Sequence, residues 1–254
     1  MSCPRLPQEI SDYIVDLLQN EHEALKQCCL VSKSWVPRAR KNLFAMVRFE
    51  SPADPVAWMR TFPDPDNSPG YLARSLHVAC VADFVAAIEE NRRWLLPFSN
   101  VVQLEIQNGM RTRSIFFCFS LRFPIDYSTT QPLRLFEIVC SLPLLEDLDI
   151  GGLDPGYYLG TSPICPRTSP PLTGTLSLDV SQAMQVTTRA LLGLPNGVRF
   201  RRFVCTGRAQ PDDFGHMMSL VEACSQTLEY IDIKFQPSRE FLLVCGTNLG
   251  LNVY

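Results

Sequence analysis

FEIVCSLPLLEDLDI, residues 136–150, and LVEACSQTLEYIDI, residues 220–233, are two versions of one pattern. In each, an apolar helix-like run ends in Cys-Ser, and Leu-Glu-x-apolar-Asp-Ile follows a few residues later. The second half of the pattern alternates apolar and polar residues, as a half-buried strand does. Similar strand words recur on either side of the two. They are SLHVA around Leu76, QLEIQ around Leu104, DLDIG around Leu148, TLSLD around Leu176, RFVCT around Phe203 and YIDIK around Ile231. The intervals between these six anchors are 28, 44, 28, 27 and 28 residues. Four of the five agree within one residue. The long interval implies an insertion, placed between Met110 and Thr130.

Each strand-plus-helix unit is too small to bury its own apolar face, so the units are expected to stack into one continuous core. A period in the high twenties with an L-x-L strand is similar to the leucine-rich-repeat class. The predicted fold class is therefore α/β, an irregular solenoid with parallel strands on its concave face. The strand period of two turns Leu104 and Ile106, Leu148 and Ile150, Leu176 and Leu178, and Ile231 and Ile233 inward. The opposite phase, Glu105, Gln107, Asp147, Asp149, Thr175, Ser177, Asp179, Arg202, Tyr230 and Asp232, lines the open face. Acidic residues predominate there: Glu105, Asp147, Asp149, Asp179 and Asp232 stand against Arg202. A field of that sign favours a basic stretch on a bound protein. These residues, with Tyr230, form the candidate target-binding set.

The first forty-odd residues follow a different rule. In LPQEISDYIVDLL (6–18), Ile10, Ile14, Leu17 and Leu18 recur at helical spacing. Pro7 suits a helix start, since its missing N–H has no partner there in any case. Asn20 and Glu23 have capping-box spacing for a second helix carrying Leu25, Cys28, Cys29 and Leu30. Ser32 can cap a third, in which Trp35, Ala39, Leu43 and Phe44 share a face. Pro37 forbids a backbone bond there, so a kink or restart is expected. So small a bundle carries more apolar surface than it can hide in itself, which points to a partner protein.

The word order is specific. Leu6-Pro7-x-Glu9-Ile10, then Ile14 and Leu17, then Leu30-Val31-Ser32-Lys33-Ser34-Trp35 and Leu43-Phe44 resemble the F-box over residues 4–46. That resemblance implies docking onto the Skp adaptor of a cullin-type ubiquitin ligase. It implies that Leu6, Pro7, Ile10, Ile14, Leu17, Leu18, Leu25, Val31 and Trp35 make or support the adaptor contact. The whole chain resembles a fungal F-box protein of the leucine-rich-repeat group. Its expected divisions are an F-box over 1–46, a connector over 47–70 and the repeat region over 71–254. Val47–Phe49 reads as a short strand within the connector, followed by a helix-like turn around Val56, Trp58 and Met59. The breaker run PDPDNSPG (63–70) marks the boundary. The repeats lack the regular Asn or Cys position of strict members. The sequence stops at Tyr254, and members of the group are commonly longer, so a C-terminal shortening with FLLVC (241–245) as an improvised closing segment is expected.

Composition bounds the function. The 254 residues carry a net charge of −3, 46% hydrophobic and 19% charged side chains. An acidic balance argues against a nucleic-acid surface, which needs a basic stripe; Arg92–Arg93 and Arg199, Arg201 and Arg202 read as solvated faces. Ten cysteines occur, but MSCPRLPQEI lacks the basic-then-apolar profile of a secretory signal. A reducing compartment, cytoplasm or nucleus, with free thiols is expected. No Cys-x-x-Cys pair exists and His22, His77 and His216 lie far apart, so no metal site is expected. The apolar run Ile115–Leu121 is too short to span a bilayer. There is no Gly-x-Ser-x-Gly elbow, phosphate loop or HExxH helix, so neither catalysis nor a cofactor is expected. Cys28 and Cys29 read as core thiols, and Tyr157–Tyr158 as loop aromatics. Without the ligase the same pattern describes a repeat-based interaction scaffold, its first helices serving as an N-terminal cap.

Overall fold

The computed structural model describes residues 6–79, 84, 92–107, 135–151, 171–179, 184–194, 196–207 and 211–235. Three helices come first: α1 (Gln8–Leu17), α2 (His22–Val31) and α3 (Val36–Leu43). Strand β1 (Met46–Phe49) follows, then α4 (Ala53–Thr61) and two 3-10 turns, Pro65–Asn67 and Pro69–Leu72. Strand β2 (Ser75–Val78), the 3-10 stretch Arg92–Asn100 and β3 (Gln103–Gln107) come next. The remainder comprises α5 (Leu135–Cys140), β4 (Asp147–Gly151), β5 (Leu172–Asp179), α6 (Met184–Leu192), β6 (Val198–Gly207), α7 (Pro211–Ala223) and β7 (Tyr230–Phe235). The expected insertion between Met110 and Thr130, the Tyr157–Tyr158 loop and residues 241–245 lie outside the described residues.

The seven strands form one parallel sheet in the order β1-β2-β3-β4-β5-β6-β7. Consecutive neighbours with no reversal of order suit a stack of similar units, in which each unit adds one strand to the edge left by the last. The chain is thus an α/β protein whose sheet is compatible with an α/β solenoid. The sequence anchors fall in a single row: Leu76 pairs with Leu104, Leu104 with Leu148, Leu148 with Leu176, Leu176 with Phe203, and Phe203 with Ile231. Val47 pairs with Leu76, so the row begins one unit earlier, inside the stretch read as a connector. The backbone repeats too. Ala45 O accepts from Arg74 and Ser75 N–H, Arg74 O from Val102 and Gln103, and Val102 O from Glu146 and Asp147.

One face of the sheet builds the main core. Val47, Leu76, Leu104, Ile106, Leu148, Ile150, Leu176, Leu178, Phe203 and Cys205 are buried against Phe84, Phe98, Ile138, Leu191, Met217 and Leu220. Alternation breaks in β6, where Arg201 and Arg202 are both exposed at the register shift, and in the last strand, where Ile231 and Ile233 are 46% and 39% exposed. The breaker run is packed rather than loose. Ser68, Pro69 and Gly70 are buried, and a Cβ on Gly70 would lie 2.8 Å from Pro97 Cβ. Gly174 has φ +81°, and a Cβ there would meet Glu146 O at 2.1 Å, at the point where the β5–β6 register shifts. Only glycine fits that approach.

Candidate functional site

The candidate surfaces are two: the N-terminal helices and the open face of the sheet. Val15, Leu25, Cys28 and Ala39 form a separate small core, with Leu18, Cys29, Trp35 and Leu43 packed around it. At 3.6 residues per turn, successive side chains on α1 are about 100° apart. Ser11, Val15 and Leu18 therefore share the inward face, where Ser11 and Val15 are buried. The apolar stripe Ile10, Ile14, Leu17 and Leu18 is thus divided. Ile10 and Leu17 point away from the bundle, Ile14 is intermediate, and Val15, which the sequence reading omits, fills the centre.

The outward face is the notable one. Leu6 (53% exposed), Ile10 (48%), Tyr13 (63%) and Leu17 (66%) recur at steps of four, three and four residues. On α1 that spacing puts Ile10, Tyr13 and Leu17 in one seam, and Leu6 lies just before the helix begins. Leu30 (79%) and Val31 (68%) at the end of α2 are also bare. Of the residues expected to meet an adaptor, Leu6, Pro7, Ile10, Leu17 and Val31 are exposed and Ile14, Leu18 and Trp35 intermediate. Leu25 is fully buried and can act only as support. Tyr13 and Leu30 are additions the sequence reading did not make, although the 6/10/13/17 spacing contains the first of them.

Local chemistry fixes this unit differently from expectation. The cap of α2 is Glu21, without a side-chain bond, so the Asn20–Glu23 capping box does not form. Ser32 Oγ accepts from Ser34 N–H at 3.3 Å and shapes the turn before α3. Helix α3 begins only at Val36, which places Pro37 in its first turn, where no bond is lost and no kink is needed. Gln8 Nε2 donates to Ser34 O at 3.3 Å, joining α1 to that turn. Across the bundle, Arg38 holds both carboxylate oxygens of Asp16, and Asn42 Nδ2 donates to Asp16 Oδ1 at 3.0 Å. These donors lower the Asp16 pKa to about 2, Arg38 being the first cause. Phe44 leaves the helical face expected for it. Its ring stands edge-on to Trp58 and Phe62, with centroids 6.1 Å apart in each pair, and Trp58 in turn meets Phe49 and Phe98.

On the sheet, the expected open-face residues do share one side. Asp147, Thr175, Arg202 and Tyr230 form one cross-strand row. A second row carries Arg48, His77, Glu105, Asp149, Ser177, Val204 and Asp232. A third row carries Gln107, Gly151, Asp179, Thr206 and Lys234. The face is less uniformly acidic than its sequence suggests. Lys234 Nζ lies 2.8 Å from Asp232, His77 Nδ1 lies 3.0 Å from Glu105, and the Arg202 guanidinium sits 4.6 Å over the Tyr230 ring. Burial pushes the Asp149 carboxyl up, with the neighbouring Glu105 charge adding to it and Ser177 and His77 opposing. His77 was not among the expected site residues; its place in a repeat strand was the available signal.

A recess of about 250 Å³ lies between the α5–β4 link and β5, lined chiefly by Val139, Leu142, Leu144, Leu145, Pro171 and Leu172. Glu146 is its one titratable carboxylate or imidazole, which gives it no acid–base pair. Among the described residues, no group of three or more His, Cys, Asp or Glu could hold a metal ion. Among the described residues, Cys28, Cys29, Cys205 and Cys224 are free thiols. Burial raises the Cys205 pKa to about 12, with Asp213 as second cause, which suits a core thiol rather than a nucleophile. No helix among the described residues is long and apolar enough to cross a membrane. No protein-family model, curated protein or solved structure matches this chain.

Proposed function

We propose that this chain is a target receptor of a Skp–cullin–F-box ubiquitin ligase, working in the cytoplasm or nucleus. The observation that carries the reading is the bare α1 seam, Ile10, Tyr13 and Leu17, with the exposed Leu6 before the helix and Leu30 and Val31 at the end of α2. A three-helix unit with a complete core of its own has no folding need for these side chains. An interface built on a few apolar and aromatic anchors does. In this role the helices hold a Skp-type adaptor, and through it a cullin, while the open sheet face holds a protein target. The receptor contributes no catalytic residue; it raises the local concentration of target at the ligase. Neither nucleic acid nor a membrane has a part in it, and the leucine-rich-repeat reading of the sheet belongs to the same proposal. Co-expression with a Skp adaptor tests it. The adaptor is expected to co-purify with the chain, and to be lost from Ile10→Asp and Leu17→Asp variants that remain folded. An adaptor retained by both variants removes the α1 seam from the interface.

A second reading, favoured by the Phe44 contacts with Trp58 and Phe62, makes the helices an N-terminal cap of an interaction scaffold. Removing residues 1–43, which spares Phe44 and β1, separates the two. A docking unit can be removed with the sheet still folded, whereas loss of a cap unfolds it.

A further inference from the structure

Among the described residues β7 ends the strand order, and a terminal strand presents an edge of backbone N–H and C=O groups that can template another strand. Its inward pair, Ile231 and Ile233, is 46% and 39% exposed, whereas their register partners on β6, Phe203 and Cys205, are 3% and 0% exposed. The chain that follows repeats a pattern already built into the sheet. FLLVCGTNLGLNVY (241–254) aligns without a gap on FEIVCSLPLLEDLD (136–149): Phe241 with Phe136, Leu243 with Ile138, Val244 with Val139, Cys245 with Cys140 and Val253 with Leu148. Ile138, Val139 and Leu148 are core residues. Gln236-Pro237 likewise matches Gln210-Pro211, and Pro211 begins α7. Residues 236–254 lie outside the described residues. We propose that 237–254 is one more unit of the stack, which folds a helix over Ile231 and Ile233 and lays Val253 beside Ile231 as the next anchor of the row.

The spacing fits. Ile231 to Val253 is 22 residues, inside the range of about 20–29 for a leucine-rich unit. Most of the difference from the 28 residues between Phe203 and Ile231 falls on the helix: Pro211 to Cys224 is 13 residues, and Pro237 to Cys245 is eight. Eight residues still make about two helical turns. The backbone supplies a matching acceptor. Along the sheet, the residue two before an anchor gives its carbonyl to the start of the next strand: Arg74 O accepts from Val102 and Gln103, Val102 O from Glu146 and Asp147, and Arg201 O from Glu229. Carried one unit on, Glu229 O accepts from the N–H groups of Leu251 and Asn252. Tethering favours this occupant over a second copy or a foreign strand, because a short linker holds it at an effective concentration of about millimolar. Alternation then places Asn252 and Tyr254 on the open face, beside Tyr230 and Asp232. Under the proposed function Tyr254 joins the target-binding end, but the added unit does not rest on that reading.

Methyl NMR and amide exchange on the full chain, without adaptor or target, are the test. A cross-peak between the Ile231 and Val253 methyl groups is expected, since paired residues on adjacent strands stand about 5 Å apart. Val253→Asp and Leu243→Asp are each expected to speed amide exchange over residues 231–235 by about tenfold or more and to leave β2 to β4 unchanged, because an edge unit opens locally. Asn252→Asp adds the same charge in the opposite phase and is expected to keep β7 exchange within about twofold of the parent. A missing Ile231–Val253 cross-peak overturns the proposal, and it is read on the unaltered chain, so it decides the matter even if a variant misfolds. Exchange of β7 unmoved by both inward variants overturns it as well. Protection of β7 that rises with protein concentration also overturns it, by assigning the edge to a second copy.

Discussion

Arg38 on α3 holds both carboxylate oxygens of Asp16 on α1, so two helices separated in sequence by α2 are joined by a two-point charge contact. The folded state keeps Asp16 ionised down to about pH 2, below the ordinary value of 3.8. A depressed carboxyl contributes stability that is present above its unfolded pKa and lost as pH falls through the folded one. The three-helix unit is therefore expected to weaken between about pH 4 and pH 2. In Arg38→Met most of that contribution is absent, so the unit should be weaker already at neutral pH and should lose less between about pH 4 and pH 2. Amide exchange of α1 and α3 across that range measures this; equal acid sensitivity in the two proteins would refute the role assigned to the pair.

Substitutions at Leu25 and Leu17 are predicted to separate. Leu25 is fully buried in the small core, so Leu25→Ala is expected to cost about 2–5 kcal/mol and to unfold the unit. Leu17 is two-thirds exposed, and Leu17→Ala should change stability by no more than about 0.5 kcal/mol. Under the proposed function both weaken adaptor capture, but only Leu25→Ala does so through unfolding. Thermal melts combined with pull-downs distinguish the two routes.

Gly174→Ala is expected to destabilise the sheet strongly. The φ of +81° alone costs a non-glycine residue about 1–3 kcal/mol, and the Glu146 carbonyl leaves no room for a methyl group. Chemical denaturation is the measurement. A melt unchanged from the parent would show that β4 and β5 can separate at this point without loss.

The ring of Phe44 is the predicted coupling point between the helices and the sheet. Phe44→Ala removes its edge contacts with Trp58 and Phe62. The expected result is a change from one urea transition to two, with the three-helix unit unfolding first. A single transition at a lower midpoint would instead mean that other contacts suffice to couple them.

Much of the sheet is legible in the sequence because a strand reports itself twice, in its alternation and in its interval. Leu76, Leu104, Leu148, Leu176, Phe203 and Ile231 do occupy one register row. Val47 belongs to the same row, 29 residues before Leu76, although its surroundings read in the sequence as a connector. The segment that covers its unit is a helix followed by proline-rich 3-10 turns, which carry no repeat pattern. The N-terminal unit was less readable. Periodicity shows that α1 is amphipathic but not which stripe faces inward, and the larger stripe here faces out while Ser11 and Val15 face in. Among the candidate site residues, Leu25 illustrates the same limit: a leucine looks alike in sequence whether it anchors a partner or supports the residue that does. His77 was missed because its partner Glu105 is 28 positions away and becomes adjacent only through pairing.

Strict succession of the strands also makes the sheet a measuring rod. Seven strands enclose six gaps of about 4.8 Å each, so β7 stands roughly 29 Å from β1 along the sheet. Under the proposed function, a target held at the Arg202–Tyr230 end is carried about three nanometres along the sheet from β1. Excising one unit would draw it in by a single 4.8 Å step, a change of reach that leaves every contact at either end untouched.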